Sequence, residues 1–143
     1  MILYCDTSAL VKCYFSEEGS EAVLDLRRRA EVTAISVVGY SEFHSAINRK
    51  RRDGDLSARE AERILHDFDV DWEGYVRVEI TPALNKIVAR LLKVYPLRAF
   101  DALHLASALL LRTQLRQADV SFCGFDDKQR LAAERERLDV VRG

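Results

Sequence analysis

Three acidic residues fall just after short apolar segments, where the chemistry of an α/β protein is usually carried out. Asp6 directly follows the first apolar run, Asp126 comes two residues after a later one, and Glu42 lies in the second turn of a helix that follows another. Ligands collect at the carboxyl ends of parallel strands, and right-handed crossovers bring those ends together. We therefore expect these three side chains at one edge of a sheet.

A fourth carboxylate, Asp101, lies in the first turn of the most apolar helix of the chain, beside Phe100. A helix N-terminus stabilises an acid, but apolar helices seldom hold a charge without a partner. Whether this N-terminus reaches the same sheet edge depends on the path of the preceding helix, which the sequence leaves open. Four neighbouring carboxylates would repel one another, so they need a divalent cation or protons. All-oxygen donor sets select Mg²⁺ or Mn²⁺, which activate water and neutralise a phosphodiester.

Each of these residues also has an ordinary structural interpretation. Asp6 taken alone is typical of a helix N-cap, and Glu42 taken alone is typical of a solvated helix residue. Asp126 is equally suited to capping the last helix, in which case its neighbour Asp127 is the candidate ligand. His104, in the apolar helix, is either a general base or, more commonly, a packed histidine.

A run of basic residues closes the helix that carries Glu42. It consists of Arg49, Lys50, Arg51 and Arg52. One interpretation is a solvated last turn that complements the helix dipole. The other is a nucleic-acid-binding segment that holds backbone phosphates near the acid.

The hydrophobic pattern predicts short apolar strands that alternate with helices. The predicted strands are 2–5, 32–36, 77–80, 120–123 and 139–141. Residues 7–14 are predicted to form a short helix or a turn. The other predicted helices are 21–29 with Ser20 as its N-cap, 37–51, one that begins at a capping box of Ser57 and Glu60, 82–94 with Thr81 as its N-cap, 100–111 and 127–137. This alternation is typical of an α/β fold around a mainly parallel central sheet of about five strands. No repeat or linker divides the sequence, so 1–143 is expected to be a single domain.

The composition is that of a folded protein. The chain has 143 residues, 22 basic and 23 acidic side chains and a formal net charge of −1. Hydrophobic residues make up 48%, and only 6 residues are Gly and 2 are Pro, which excludes disordered, collagen-like and low-complexity classes. A net charge near zero removes the simplest argument for nucleic-acid binding, which is a strongly basic domain.

The location of the protein is predicted from what the sequence lacks. The first residues do not form a signal peptide, and no stretch approaches the roughly 18 apolar residues of a membrane span. The cysteines, Cys5, Cys13 and Cys123, are odd in number and form no C-x-x-C pair, which argues against a disulfide framework or a thiolate zinc site. We expect a cytoplasmic protein with reduced cysteines and no membrane association.

Taken together, four segments resemble the motifs of the PIN-domain ribonucleases, most closely the VapC-type toxins of prokaryotic toxin–antitoxin pairs. The segments are DTSALVK at 6–12, SEF at 41–43, YPLRAFDALHLA at 95–106, and FDD at 125–127 followed by LAA at 131–133. The third is the most specific match. The resemblance covers essentially the whole chain, with the motifs in the order expected for the family.

The resemblance implies a three-layer α/β/α PIN-like fold with a mainly parallel sheet. It also implies an endoribonuclease that depends on Mg²⁺ or Mn²⁺, a cognate antitoxin as partner and a homodimer as assembly. Four residues carry over as the catalytic acids and metal ligands, namely Asp6, Glu42, Asp101 and Asp126.

Two details of the motifs stay open. The hydroxyl position of the first motif falls on Ser8, which we favour as a catalytic residue, or on Thr7. The family often has Thr or Ser two residues before the last acid, whereas this chain has Gly124. The departure leaves the choice between Asp126 and Asp127 as the fourth acid undecided.

Several other functions are compatible with acids at a sheet edge. They are a PIN-domain nuclease for RNA processing without a toxin role, a DNA nuclease, and a binding module that has kept the fold without catalysis. A phosphatase of the haloacid-dehalogenase type would need a second Asp two residues after Asp6, where the chain has Ser8. Net charge does not exclude a nuclease, because removing four clustered acids from a total of −1 leaves +3 for the rest of the chain.

Overall fold

A computed structural model describes residues 1–116 and 119–141 of the protein. The described residues form five strands and seven helices. In chain order they are β1 (Ile2–Cys5), α1 (Thr7–Lys12), α2 (Ser20–Arg29), β2 (Val32–Ser36), α3 (Gly39–Arg52), α4 (Ala58–Trp72), β3 (Val76–Val78), α5 (Pro82–Val94), α6 (Ala99–Gln114), β4 (Val120–Cys123), α7 (Asp127–Arg135) and β5 (Asp139–Val140).

The five strands form one sheet in the order β3-β2-β1-β4-β5, and every neighbouring pair is parallel. The central strand is β1, which places Cys5 opposite Cys123 of β4 and Tyr4 opposite Ala34 of β2. The chain first builds the sheet outward from β1 to β3 and then crosses to β4 on the other side. The strand order therefore reverses between β1 and β4, and such a reversal is where open α/β sheets bind ligands.

Helices cover both faces of this sheet. Successive side chains of a strand point to opposite faces, so Tyr4 packs with α5, α6 and α7 while Leu3 and Cys5 pack with α1 to α4. The three-layer α/β/α fold class is thereby confirmed, with a sheet that is parallel throughout rather than mainly so.

Most element boundaries lie within three residues of the prediction. The capping box is confirmed, because the Ser57 side chain accepts from the Glu60 amide and the Glu60 side chain accepts from the Ser57 amide. Thr81 is confirmed as the cap of α5, where it accepts from the Leu84 amide. These caps depend on residues three apart in sequence, which explains why they were predictable.

The predicted N-cap at Ser20 is wrong. The cap of α2 is Gly19, whose φ of 88° lies in the left-handed region that favours glycine. The Ser20 hydroxyl instead accepts from the Glu17 amide and donates to the Phe15 carbonyl, so it closes the preceding turn.

The third strand also differs from the prediction. Residues 77–80 were expected to pair, but β3 is Val76–Val78 and its register with β2 covers these residues alone. Ile80 is 46% exposed and lies next to the cap of α5. The alternating pattern therefore continued beyond the residues that pair.

Two further observations concern the helices and the cysteines. Among the helices of the described residues, none has the length and apolar character needed to cross a membrane. Cys5, Cys13 and Cys123 are unpaired thiols. Cys5 and Cys123 are buried as register partners on neighbouring strands, so they serve as small core residues.

Candidate active site

All four predicted acids line one cavity at the carboxyl ends of β1 and β4. The cavity has a volume of about 330 Å³, and its lining is Asp6, Thr7, Ser8, Glu42, Arg98, Asp101, His104, Phe125 and Asp126. We call it the acid cavity. It lies where the strand order of the sheet reverses, as the ligand-binding rule for such sheets requires. The path of the chain before α6, left open by the sequence, brings Asp101 into this group.

Asp6 caps α1, as its structural interpretation expected, and it also lines the acid cavity. Its Oδ1 accepts from the Ala9 amide at 2.9 Å and from the Ser8 hydroxyl at 2.7 Å. No described residue donates to its Oδ2. Burial raises the pKa of the Asp6 carboxyl and the charge of Asp101 raises it further, although His104 and the two hydrogen bonds act in the opposite direction.

Glu42 is held in one orientation by two donors. Its Oε1 accepts from the Thr7 hydroxyl at 2.8 Å and from His104 Nε2 at 2.6 Å. Burial raises the pKa of the Glu42 carboxyl, but the hydrogen bond and charge of His104 together with the Thr7 hydrogen bond outweigh it and leave the pKa lowered. Glu42 is therefore ionised and fixed, unlike a solvated helix residue.

His104 connects Glu42 to the core. It is 3% exposed, and its Nδ1 lies 2.9 Å from the Tyr4 hydroxyl, which itself accepts from the Ser36 amide at 3.0 Å. Burial raises the pKa of Tyr4 well above its usual value, so the phenol keeps its proton. Because the ionised Glu42 carboxylate can only accept, Nε2 carries a proton, and Nδ1 links the ring to the Tyr4 hydroxyl. His104 is packed, as the more common interpretation expected, and it positions an acid.

Asp101 has an arginine partner that the sequence analysis did not single out. Its Oδ2 accepts from Arg98 Nε at 3.2 Å, with the aspartate side chain 20% exposed and the arginine side chain 85% exposed. Arg98 precedes the first residue of α6 and also lines the acid cavity. Arg98 and Asp101 are three residues apart at the start of α6, a spacing at which side chains on a helix interact, so this pair could have been predicted from the sequence.

The structure separates Asp126 from Asp127. Asp126 caps α7 by accepting from the Gln129 amide at 2.8 Å, and it lines the acid cavity. The Asp127 side chain is 99% exposed and lies outside that lining, but it lines a neighbouring cavity of about 620 Å³ with Asp101 and Asp126. Of the two residues, Asp126 is the one that lies in the acid cavity with the other three acids.

Both hydroxyls of the first motif lie in the cavity, but they serve different acids. Ser8 donates to Asp6, whereas Thr7 donates to Glu42 and lies 3.3 Å from His104 Nε2. The first motif thus fixes two carboxylates at once. A hydroxyl that donates to a carboxylate orients it and leaves its other oxygen free for a ligand.

The donor set of the acid cavity fits a hydrated Mg²⁺ or Mn²⁺ ion. Its ionisable lining is mainly carboxylate, with two hydroxyls alongside, and these are the ligands such cations prefer. Across residues 1–116 and 119–141, no three His, Cys, Asp or Glu side chains approach closely enough to form a ready-made metal cage. Mg²⁺ commonly keeps several waters and binds through one or two carboxylates plus substrate phosphate, which suits an open cavity of this kind.

Of the four residues of the basic run, one lies beside the acid cavity. A second cavity of about 800 Å³ adjoins the first and shares Thr7, Ser8, Glu42 and Arg98 with it; we call it the side cavity. Arg49 lines the side cavity.

The other three basic residues lie outside the lining of the side cavity. Lys50 lies 3.6 Å from Glu17 and packs over the ring of Phe15. Arg51 and Arg52 are exposed. Arg49 is therefore the member of the run that lines the cavity adjoining the acid cavity.

These features are those of a known class of nuclease fold. The chain belongs to the PIN domain family, whose model matches residues 3–134. Ribonuclease VapC45 of Mycobacterium tuberculosis is 32% identical over 108 residues, which are 76% of this chain and 75% of that protein.

Solved structures share the fold at low sequence identity. A chain of a toxin–antitoxin complex from Klebsiella pneumoniae superposes with a TM-score of 0.65 at 16% identity, over 90% of this chain and 89% of that one. A chain of VapBC2 from Rickettsia felis bound to a promoter DNA fragment gives 0.64 at 13% identity, over 99% and 98%.

Proposed function

We propose that this protein is an endoribonuclease that uses Mg²⁺ or Mn²⁺ and serves as the toxin of a VapBC-type toxin–antitoxin pair. The observation that carries the proposal is the meeting of Asp6, Glu42, Asp101 and Asp126 in one cavity at the switch point of the sheet. Membership of the PIN domain family and 32% identity to a protein named as a ribonuclease support it.

In this proposal the four acids have two different roles. Asp6 and Asp101 hold the cation, while Glu42 and Asp126 orient water or a second ion. A bound divalent cation supplies Lewis-acid chemistry that lowers the pKa of water and neutralises charge on the phosphodiester. Ser8 and the Ala9 amide hold Asp6 Oδ1, while Oδ2 receives no hydrogen bond from a described residue. Arg98, paired with Asp101 and largely exposed, is placed to contact a phosphate.

The direct test is cleavage of a single-stranded RNA by the purified protein, with a DNA of the same sequence alongside. We expect cleavage of the RNA with Mg²⁺ or Mn²⁺ and loss of cleavage when EDTA removes the cation. Undiminished cleavage in EDTA would contradict the metal-dependent mechanism. Cleavage of the DNA alone would contradict the assignment to RNA.

Arg49 is expected to contact RNA phosphate. Replacing it with alanine should reduce the slope of log affinity against log salt concentration by about 1, because one phosphate contact is lost. The matched control is Arg52→Ala, since Arg52 is exposed on the same helix but does not line the side cavity. Binding is measured with an inactive Asp6→Asn background. Slopes equal to that of the wild type for both variants would assign the basic run to the helix dipole alone.

His104 is expected to position Glu42 for catalysis. His104→Leu removes the Nε2 donor and should lower kcat by roughly 10–100-fold with little change in KM, the size of effect that supporting residues have at metal sites. Loss of His104 leaves the Thr7 hydrogen bond alone to oppose burial, so the pKa of Glu42 should rise and the acid limb of the pH profile should move to higher pH.

The control for that effect is His104→Gln, whose side-chain amide can still donate to Glu42. It should recover part of kcat and move the acid limb back. If the Leu and Gln variants cleaved RNA equally well with the same pH profile, the role of His104 would be packing only.

A small antitoxin is the partner we propose, by likeness to the VapC-type toxins. Structures of similar fold come from toxin–antitoxin complexes, although at 16% identity or less they support the fold alone. Co-expression with the product of the neighbouring upstream reading frame should yield a stable complex that does not cleave RNA. A homodimer and a cytoplasmic location belong to the same proposal, and light scattering of the purified chain measures the former.

A further inference from the structure

Phe100, in the first turn of α6, is an exposed aromatic residue that directly precedes Asp101. It is 56% exposed and belongs to neither hydrophobic cluster of the core. Among the described residues, no other aromatic ring and no cation lies against its ring. More than half of the Phe100 surface is therefore available for contact with a ligand.

The position of Phe100 distinguishes it from an ordinary exposed apolar residue, since single residues of that kind are common on protein surfaces. Phe100 lines the side cavity of about 800 Å³, which has four lining residues in common with the acid cavity. This volume is within the range of pockets that bind small ligands, and a single nucleotide is a ligand of that size. A group bound against Phe100 would consequently lie next to a phosphodiester bound at the acids.

Polar side chains of α3 form another part of the side-cavity lining. Ser41, Ser45 and Arg49 follow one another at intervals of four residues, so they lie on one face of the helix, and all three are exposed. The hydroxyls of Ser41 and Ser45 form no hydrogen bond with a described residue. Because a hydroxyl both donates and accepts, each can pair with the polar edge of a nucleobase.

The charges of the side cavity favour an anionic chain over an apolar protein segment. Its lining contains two cations, Arg49 and Arg98, and one acid, Glu42. Arg49 forms no ion pair with a described residue, and Arg98 uses its Nε for Asp101 while its side chain stays 85% exposed. Guanidinium groups with free N–H donors bind phosphates. An aromatic ring among such donors is typical of sites for single-stranded nucleic acid, where bases stack and the backbone is held by positive charge.

We propose that the side cavity is a base-binding subsite, in which Phe100 stacks on an unpaired nucleobase of the RNA strand whose phosphodiester lies at the acids. The proposal rests on the ribonuclease function proposed above and specifies unpaired RNA as the substrate class. Unpaired bases can leave their neighbours and stack on a protein ring, whereas the bases of a duplex stack on one another. Every base has a π-face, so Phe100 contributes affinity and position rather than a choice of sequence.

The test compares a short single-stranded RNA with an abasic ribose-phosphate strand of the same length and charge. Binding of both is measured with Mg²⁺ present in the inactive Asp6→Asn background. Adding Phe100→Ala should weaken binding of the RNA about ten-fold, within the range of base–aromatic stacking, and should leave binding of the abasic strand unchanged. Arg49→Ala should instead weaken binding of both strands, because a phosphate contact needs no base.

Two further variants separate stacking from simple apolar contact. Phe100→Trp keeps an aromatic ring and should keep the affinity for RNA. Phe100→Leu is the matched control, since leucine is apolar but has no π-face, and it should lose most of the affinity that Phe100→Ala loses. Because Phe100 is exposed, all three variants are expected to fold, and circular dichroism verifies this.

The outcomes separate this proposal from the proposed function. Unchanged RNA binding by Phe100→Ala, or an equal loss for the RNA and the abasic strand, would overturn the role of Phe100 in base binding. Unchanged RNA binding with a shift from dimer to monomer in light scattering would overturn it too and would assign the ring to a contact between two copies of the chain. If binding followed the expected order while the protein with Asp6 intact cleaved no RNA, the subsite would stand and the ribonuclease function would fall.

Discussion

Asp6→Asn is expected to lower RNA cleavage by roughly 10²–10³-fold, the loss that removing one preorganised electrostatic group produces in an active site. The asparagine keeps an oxygen that can accept from the Ala9 amide and the Ser8 hydroxyl. It removes the charge that the cation requires. The loss of cleavage is therefore due to the lost charge, since the hydrogen bonds that cap α1 are kept.

The same variant should be at least as stable as the wild type at pH 7 in the absence of metal. Burial raises the pKa of Asp6 in the folded protein above its unfolded value. For an acid, this means that ionised Asp6 destabilises the fold once the pH rises above the unfolded pKa, and a neutral residue removes that penalty. Mn²⁺ should then raise the melting temperature of the wild type but not that of Asp6→Asn.

Asp127→Asn is the control for both measurements. It removes the same charge from a side chain that is 99% exposed and does not line the acid cavity, so cleavage and melting temperature should stay at wild-type values. Wild-type cleavage by Asp6→Asn, or a melting temperature well below that of the wild type in EDTA, would contradict the assignment of Asp6.

The largest effect on stability is expected from Phe68→Ala, at about 3–5 kcal/mol of lost unfolding free energy. Phe68 of α4 is fully buried, and its ring stacks on Phe43 of α3 with centroids 3.8 Å apart. Tyr14 and Trp72 pack around the same ring. Truncation would leave a cavity between α3 and α4 that these aromatic side chains cannot close without leaving their own positions.

Urea denaturation measures this prediction, with Val70→Ala as the control on the same helix. Val70 is 62% exposed, so its truncation should change the unfolding free energy by no more than about 0.5 kcal/mol. Because Phe43 directly follows Glu42, the Phe68 variant should also lose RNA cleavage beyond what its unfolded fraction explains. A loss of less than about 1 kcal/mol would show that the cluster repacks around the void.

Much of the fold was predictable because its signals are local. The alternation of short apolar runs and helices predicted all five strands of the parallel sheet, and the capping box at Ser57 fixed the start of α4. The errors arose where tertiary contacts decide. Ser20 has the right chemistry for a cap but closes the turn before it, and β3 ends where its pairing with β2 ends.

The site was predictable to the extent that its residues follow strands. The places of Asp6 and Asp126 depend only on the carboxyl ends of β1 and β4. The position of Asp101 required the path from α5 to α6, which no local pattern encodes.

The net charge of −1 acquires a different meaning once the acids are placed. Four of the negative charges line a single cavity, while Arg49 and Arg98 line the adjoining one. A bound cation would neutralise part of the acidic cluster, so the field that an RNA strand meets near the site is more positive than the total suggests.

The central claim is that carboxylates from separate parts of the chain form one cation site for RNA hydrolysis. It is tested most directly by following RNA cleavage against Mn²⁺ concentration for the wild type and for Asp101→Asn. Asp101 is proposed to hold the cation together with Asp6, from which it is far apart in sequence. We predict saturable Mn²⁺ dependence for the wild type and, for the variant, a fall in cleavage of roughly 10²-fold or more with weaker Mn²⁺ dependence. Equal rates and equal Mn²⁺ dependence for the two proteins would contradict it.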